Sequence, residues 1–338
     1  MNAGIPLVRL SGDPFEAGYR HGAARATALR EFLSDDLCRL GRILPARVSM
    51  DSLRPALAAY EAEIRAATPD LAAEIRGLAE GAGIGREAAL LLQLRREIMG
   101  YQKIPAMGDC TTYARAGLLA QTVDLNGDLD DQIAVLDVAR NGRRSLVLSF
   151  GGLLGYLGVN GDGLAVGLNL VLGGDWRPGL PPYLAIRHLL DTASSVDEAI
   201  AILRGLRLAS SRSLMLCDAG RTACVEILGD ELREVDVTEH TNHFLHPGFL
   251  ARDELNVFAR NSSLLRLKAC RSGLAELPAD AGVEDHFALL SAPPICVADT
   301  GDIRRERTVA AVVLRPNRGE LHVRPGDPSR SGTETFRL

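Results

Sequence analysis

The chain has 338 residues, 46% of them hydrophobic and 24% charged, so apolar side chains suffice for a large core. A net charge of -5 and a pI near 5.9 exclude the basic stripe expected of a nucleic-acid-binding protein. No apolar run is long enough to span a bilayer, and the first ten residues lack a basic segment followed by an apolar one, which makes a cytoplasmic location the default expectation.

Asp13-Pro14 predicts a helix start, an N-cap residue followed by proline at the first helical position. From residue 14 to about 100 the chain reads as helix, rich in Ala, Leu, Glu and Arg over 53–66 and 69–80, interrupted at Gly81-Ala82-Gly83 and resumed over 87–99. The character changes near residue 100. Short strands are predicted at 111–116, 132–139, 145–150, 163–170, 213–218, 223–228 and 231–236. Turn signals separate them, among them Asn126-Gly127, Asn141-Gly142 and Asp218-Ala219-Gly220. Helices are predicted at about 182–193 and 196–206, the second capped by Ser195 with Glu198 three residues on. A further helix is predicted at 261–274, and 308–314 with 320–323 reads as a closing hairpin through Pro316-Asn317-Arg318-Gly319. Strands grouped in this way imply mostly antiparallel sheets covered by helices. The glycine-dense stretch from Gly151-Gly152 to Gly163 is no phosphate loop, since no Lys-Ser/Thr follows; close backbone approach near a pocket, or simple turns, explain it.

The six cysteines, Cys38, Cys110, Cys217, Cys224, Cys270 and Cys296, contain no CxxC pair and suggest neither a zinc site nor a disulfide framework. Cys110 stands out by position, in Met107-Gly108-Asp109-Cys110-Thr111-Thr112, where the helical half ends and the strand-rich half begins. A cysteine is nucleophilic as thiolate. One exposed as a chain terminus gains its own α-amine as base, with a pKa of roughly 7.7–8.0. The following threonine hydroxyls are placed to position that amine. On these residues alone, a Cys-Thr-Thr run that merely opens a strand serves equally well. His240 and His243, as His-x-x-His, suggest a metal site or a Cys-His dyad with Cys110; two ligands are too few for structural zinc, so no metal is expected.

The chain resembles the acyl-coenzyme A:6-aminopenicillanic acid acyltransferase family, isopenicillin N acyltransferase-like C45 peptidases among the N-terminal-nucleophile hydrolases. Gly12-Asp13-Pro14-Phe15-Glu16-Ala17-Gly18-Tyr19-Arg20-His21-Gly22 is similar to the family's opening signature. Gly108-Asp109-Cys110-Thr111-Thr112 resembles its cleavage site, and Ala120-Gln121-Thr122-Val123-Asp124 the segment after it. Asn160-Gly161-Asp162-Gly163-Leu164-Ala165-Val166-Gly167-Leu168-Asn169 and His240-Thr241-Asn242-His243 match two further motifs. Pro294-Ile295-Cys296 and the hairpin from Thr308 complete an ordered set that runs nearly end to end.

The resemblance implies an α+β chain with a four-layer αββα fold, two packed, mainly antiparallel sheets, forming one domain over 1–338. It implies self-cleavage into a mainly helical chain, 1–109, and a chain of 110–338 with Cys110 at its terminus; Asp109, Cys110 and Thr112 form the cleavage site. Asn242 takes the position of the oxyanion donor; read alone it caps a turn. Asp124 takes that of the acidic residue orienting the nucleophile; read alone it is a turn residue before Asn126-Gly127. Arg305 takes that of an arginine balancing charge at the active centre; read alone it is a surface residue beside Arg304 and Arg307. The implied substrate is a small-molecule amide or acyl thioester. No metal or organic cofactor is implied, acyl-coenzyme A being a substrate. The partners are the two cleaved chains; no nucleic acid or membrane is implied, and a homo-oligomer is one state the sequence allows.

Three departures fall near the chemistry. Asp109 replaces the usual glycine, Thr122-Val123 replace Asn-Trp, and Arg304 replaces a serine. A substrate other than a β-lactam is therefore expected. The rival readings are a non-cleaving Cys-His hydrolase and a catalytically silent binding protein of the same fold.

Overall fold

The computed structural model describes residues 4–100, 110–115, 117–140 and 142–338. Asp109, and with it the bond expected to be cut, lies outside the described residues.

The helical part opens with strand β1 (Leu7–Leu10), followed by α1 (Pro14–Ser34), α2 (Leu40–Ile43), α3 (Met50–Ala67), α4 (Pro69–Ala82) and α5 (Arg86–Met99). Asp13 caps α1 as expected, its carboxylate accepting the Glu16 N–H at 2.9 Å. The early glycine motif is a packing device. A Cβ on Gly18 of α1 would lie 1.9 Å from the Glu74 carbonyl oxygen, and one on Gly77 of α4 would lie 1.9 Å from that of Phe15. The two helix backbones touch, and only glycine permits that approach.

From Cys110 the strands follow as β2 (Thr112–Arg115), β3 (Leu118–Leu125), β4 (Ile133–Arg140), β5 (Arg143–Phe150), β6 (Leu157–Asn160) and β7 (Ala165–Leu170). Helices α6 (Pro182–Thr192) and α7 (Val196–Arg204) precede β8 (Arg212–Cys217), β9 (Thr222–Leu228), β10 (Glu231–Val235) and β11 (Glu239–His240). The chain ends with α8 (Val257–Glu276), α9 (Val283–Ser291), β12 (Arg307–Arg315), β13 (Glu320–Pro325) and β14 (Glu334–Arg337). Eight strands form one sheet in the order β1-β4-β5-β6-β7-β8-β9-β10; six form the other in the order β11-β2-β3-β12-β13-β14. Every pairing is antiparallel except β1 with β4.

The sheets face each other, β2 and β3 packing on β7 and β8. Helices α6 and α7 lie on the larger sheet, and α8 and α9 on the smaller. This is the expected αββα layering. β3, absent from the strands read off the sequence, is a central strand whose first seven residues are all buried. A strand covered on both faces carries no alternation to read. β1, β6 and α9 were likewise not anticipated.

Between α4 and α6 lies a buried ionic cluster. Arg187 donates to both Glu74 oxygens at 2.9 and 3.0 Å, to Asp191 at 2.9 Å and to the Leu154 carbonyl at 3.1 Å. It ties both helices to the loop after β5. In that loop Gly151 and Gly152 have φ of 54° and 83°, and a Cβ on Gly151 would sit 2.5 Å from the Phe32 ring. The glycine-dense stretch thus allows close backbone approach at a cavity wall.

Candidate active site

Cys110 is buried two residues before β2, with a positive φ of 82°, uncommon for a residue with a Cβ. Its carbonyl oxygen is clamped by the Asn169 Nδ2 at 3.0 Å and the Arg266 Nη1 at 2.7 Å. Its backbone N–H donates to Asp124 Oδ2 at 2.9 Å. The sulfur receives the Asp124 backbone N–H at 3.4 Å and lies 3.9 Å from the Asp124 carbonyl and 4.0 Å from the Tyr156 hydroxyl.

Asp124 sits near the end of β3, where pairing of β2 with β3 returns the chain to Cys110. Thr308 of β12 donates to its Oδ1 at 2.6 Å and Thr122 to Oδ2 at 3.4 Å. Burial raises its carboxyl to about 6, against the pull of Arg266 and the two threonines, and Glu306 adds to the rise. Burial likewise pushes the Tyr156 phenol well above its ordinary value, so its hydroxyl keeps its proton and can donate to a thiolate. Tyr156 is held by stacking on Tyr183, with ring centroids 5.1 Å apart.

Arg266 and Asn242 form one unit. The Arg266 Nη2 donates to Asn242 Oδ1 at 2.7 Å, and Asn242 Nδ2 donates to the Leu170 carbonyl at 2.9 Å. A guanidinium only donates, so this pair settles which end of the amide is nitrogen. Ser263, one turn before Arg266 on α8, accepts the Asn242 N–H at 2.8 Å and bonds Thr241 and His243. Helix α8 therefore pins the 241–243 segment and delivers the arginine together.

The expected residues are distributed unevenly. Cys110, Asp124 and Asn242 come together. Thr112 lies on β2 with its hydroxyl 3.4 Å from the Leu168 carbonyl; Thr111 is the threonine beside the centre, 3.3 Å from Arg266 Nη1. Arg305 is exposed, and its segment reaches Asp124 through Thr308 instead; the guanidinium at the centre belongs to Arg266. Both ring nitrogens of His240 are engaged elsewhere, with Thr241 O at 2.6 Å and Glu226 Oε1 at 3.0 Å, rather than with Cys110. His243 is bound through Nδ1 to Ser263 at 2.7 Å, and burial lowers it to about 4.

Beside Asp124 and Tyr156 opens a small cavity of about 40 Å³ with mainly apolar walls, including Phe32, Leu92, Met99 and Leu153. A largely apolar lining with a few polar groups is the kind that holds a small organic molecule.

Four residues of this centre were not singled out from the sequence. Arg266 falls on the buried face of α8 with Ala259, Ser263 and Cys270, a burial that only the packed structure reveals. Asn169 closes a motif already quoted. Thr308 opens the closing hairpin already quoted, without a role read from it, and Tyr156 carried no signal.

The profile of the family described as acyl-coenzyme A:6-aminopenicillanic acid acyl-transferase matches residues 110–330 and so begins at Cys110. Among solved structures, the chain is similar to penicillin V acylase from Agrobacterium tumefaciens, with TM-score 0.50 and 16% identity over 68% of this chain and 86% of that one. A mutant conjugated bile acid hydrolase from Clostridium perfringens follows at TM-score 0.48 and 12% identity, over 68% and 97%. An N-acylethanolamine-hydrolyzing acid amidase ortholog from Caenorhabditis elegans gives 0.45 and 16%, over 68% and 99%. The likeness to the first is one of fold.

Proposed function

The chain belongs to the acyl-coenzyme A:6-aminopenicillanic acid acyltransferase family, and from that premise we propose that it cuts itself before Cys110 and then uses Cys110 as the nucleophile of an amidase or acyltransferase. The observation that carries this reading is the grip of one buried carboxylate, Asp124, on the Cys110 backbone nitrogen at 2.9 Å, while the same residue's N–H meets the sulfur. The nitrogen that would become the α-amine and the atom that would attack are oriented by a single residue.

In self-cleavage the Cys110 thiol attacks the Asp109 carbonyl carbon. The C–N bond breaks as the nitrogen takes the thiol proton, and water hydrolyses the resulting thioester to a free Asp109 carboxylate. The backbone of Cys110 supports this step. A positive φ costs roughly 1–2 kcal/mol because Cβ crowds the neighbouring carbonyl groups. Cleavage removes the preceding carbonyl carbon, and with it that penalty, while Asn169 and Arg266 go on holding the Cys110 carbonyl.

In turnover the α-amine takes the thiol proton, and sulfur attacks the amide or thioester carbonyl of the substrate. Asn242 Nδ2, whose amide Arg266 orients, would donate a second N–H, beside the one held by the Leu170 carbonyl, to the developing oxyanion, a contribution of about 3–4 kcal/mol for one such donor. The amine returns the proton to the leaving group. Water or a second amine then resolves the acyl-cysteine, giving a hydrolase or an acyltransferase from one site.

The test is the denatured mass of the purified protein beside a Cys110→Ala variant. Fragments of 1–109 and 110–338 in the first and one chain in the second support self-processing. One chain in both, with Cys110 alkylated by iodoacetamide no faster than the other cysteines, would sink the proposal.

A further inference from the structure

The cavity beside Cys110 holds two buried N–H donors that the fold does not use. Arg95, in the last turns of α5, is 8% exposed and lines this cavity. Its Nε donates to the Cys38 carbonyl at 2.8 Å, but among the described residues its Nη2 has no hydrogen-bond partner and Arg95 forms no ion pair. Asn126, 2% exposed, lines the same cavity, and its Nδ2 is also without a partner among the described residues. A buried polar group left unbonded is normally eliminated by repacking or satisfied by a ligand.

The electrostatics point the same way. Burial brings Arg95 down to about 10, so it stays cationic at neutral pH, and the neighbouring cations Arg96 and Arg39 oppose its charge further. Arg39 has Asp35 and Asp131 as partners. The carboxylates on the cavity wall are Asp124 and Glu306, and Glu306 adds to the rise of Asp124. The cavity thus has acidic groups near Cys110 and an unneutralised guanidinium elsewhere on its wall, with apolar side chains such as Phe32, Leu92 and Leu129 around them. A planar guanidinium with a free edge beside an amide donor matches a carboxylate, whose two oxygens accept from a fork of N–H groups.

Resting on the reading of Cys110 as nucleophile, we propose that this cavity selects substrates carrying a carboxylate beyond an apolar segment, with Arg95 and Asn126 as the residues that hold it. The carboxylate belongs either to the acyl chain or to the leaving amine, and the chemistry of recognition is the same.

The binding test avoids catalysis. Full-length Cys110→Ala protein is titrated calorimetrically with hexanoate and with hexan-1-ol. A charge-assisted contact predicts a preference of roughly tenfold or more for hexanoate. Adding Arg95→Met removes that preference and leaves hexan-1-ol binding unchanged; adding Asn126→Ala reduces it and stands in should the Arg95 variant fail to fold. Equal binding of the two probes, or a preference that survives Arg95→Met, overturns the proposal. The source is then assigned with the wild-type protein. Faster hydrolysis of adipic acid monoanilide than of hexananilide places the carboxylate on the acyl chain; faster hydrolysis of N-hexanoylglycine than of its amide places it on the leaving group. Should Cys110 not be the nucleophile, all four amides stay intact while the binding preference persists, so the two failures are distinct.

Discussion

Two buried arginines, Arg187 and Arg95, are treated in opposite ways. Arg187 is fully buried and donates to Glu74, Asp191 and the Leu154 carbonyl, closing the contact between α4, α6 and the loop after β5. Arg95 is nearly as buried and, among the described residues, has one carbonyl partner, with Nη2 facing none. Burying a cation is costly, and a fold normally offsets the cost with carboxylates in good geometry. The first arginine therefore reads as architecture, since its partners come from the fold itself. The second reads as a site, since its partner is still to arrive.

The largest expected effect is on the architectural side. Glu74→Ala removes two of the charge-assisted bonds of buried Arg187, leaving Asp191 as its carboxylate partner, and should lower stability by about 3–5 kcal/mol in urea unfolding. A loss below about 1 kcal/mol would erase the distinction between the two arginines. On the site side, Asn242→Ala should cut kcat about 10²–10³-fold with KM little changed, provided the variant still cleaves itself. An equal rise in KM would mean that Asn242 merely binds the ground state.

Asp124 sharpens the comparison through pH. In the intact chain its carboxyl is raised to about 6, above an unfolded value near 3.9, so the folded state holds the proton more tightly. Stability from this group is therefore fully present below about pH 4 and is lost as pH rises through about 6, by about 3 kcal/mol in all. Urea unfolding of Cys110→Ala with and without Asp124→Asn, at the two ends of that window, isolates the difference. Once cleavage places an ammonium opposite Asp124, the ionised form is favoured and this dependence should shrink or reverse. The smallest effect is expected at Arg95. Arg95→Met should leave the thermal midpoint unchanged or raise it, since it removes an unpaired buried cation. A drop as large as that of Glu74→Ala would make Arg95 architectural too.

Much of the layering was legible in advance. The switch from helical to alternating patterns near residue 100, the Asp13-Pro14 start and the turn dipeptides place most elements within a few residues. β3 escaped because its buried residues lack alternation, although it carries Asp124. At the α7 terminus Ser195 accepts the Glu198 N–H at 3.2 Å as anticipated, but the Glu198 carboxylate answers to the Ser194 N–H instead.

The centre divides along the same line. Cys110, Asp124 and Asn242 could be named because each lies in a short motif whose order along the chain is itself information. Arg266 and Arg95 could not, because in sequence a buried arginine is indistinguishable from the many exposed ones on neighbouring helical turns. Arg266 meets the Cys110 carbonyl across 156 positions, and Arg95 reaches its cavity only because α5 is buried on every side at its C-terminal end. Periodicity tells which face of an element turns inward. Which inward-facing groups meet, and which of them lacks a partner, is decided only when sheets and helices pack, because the cost of an unpaired buried charge depends on neighbours drawn from distant parts of the chain.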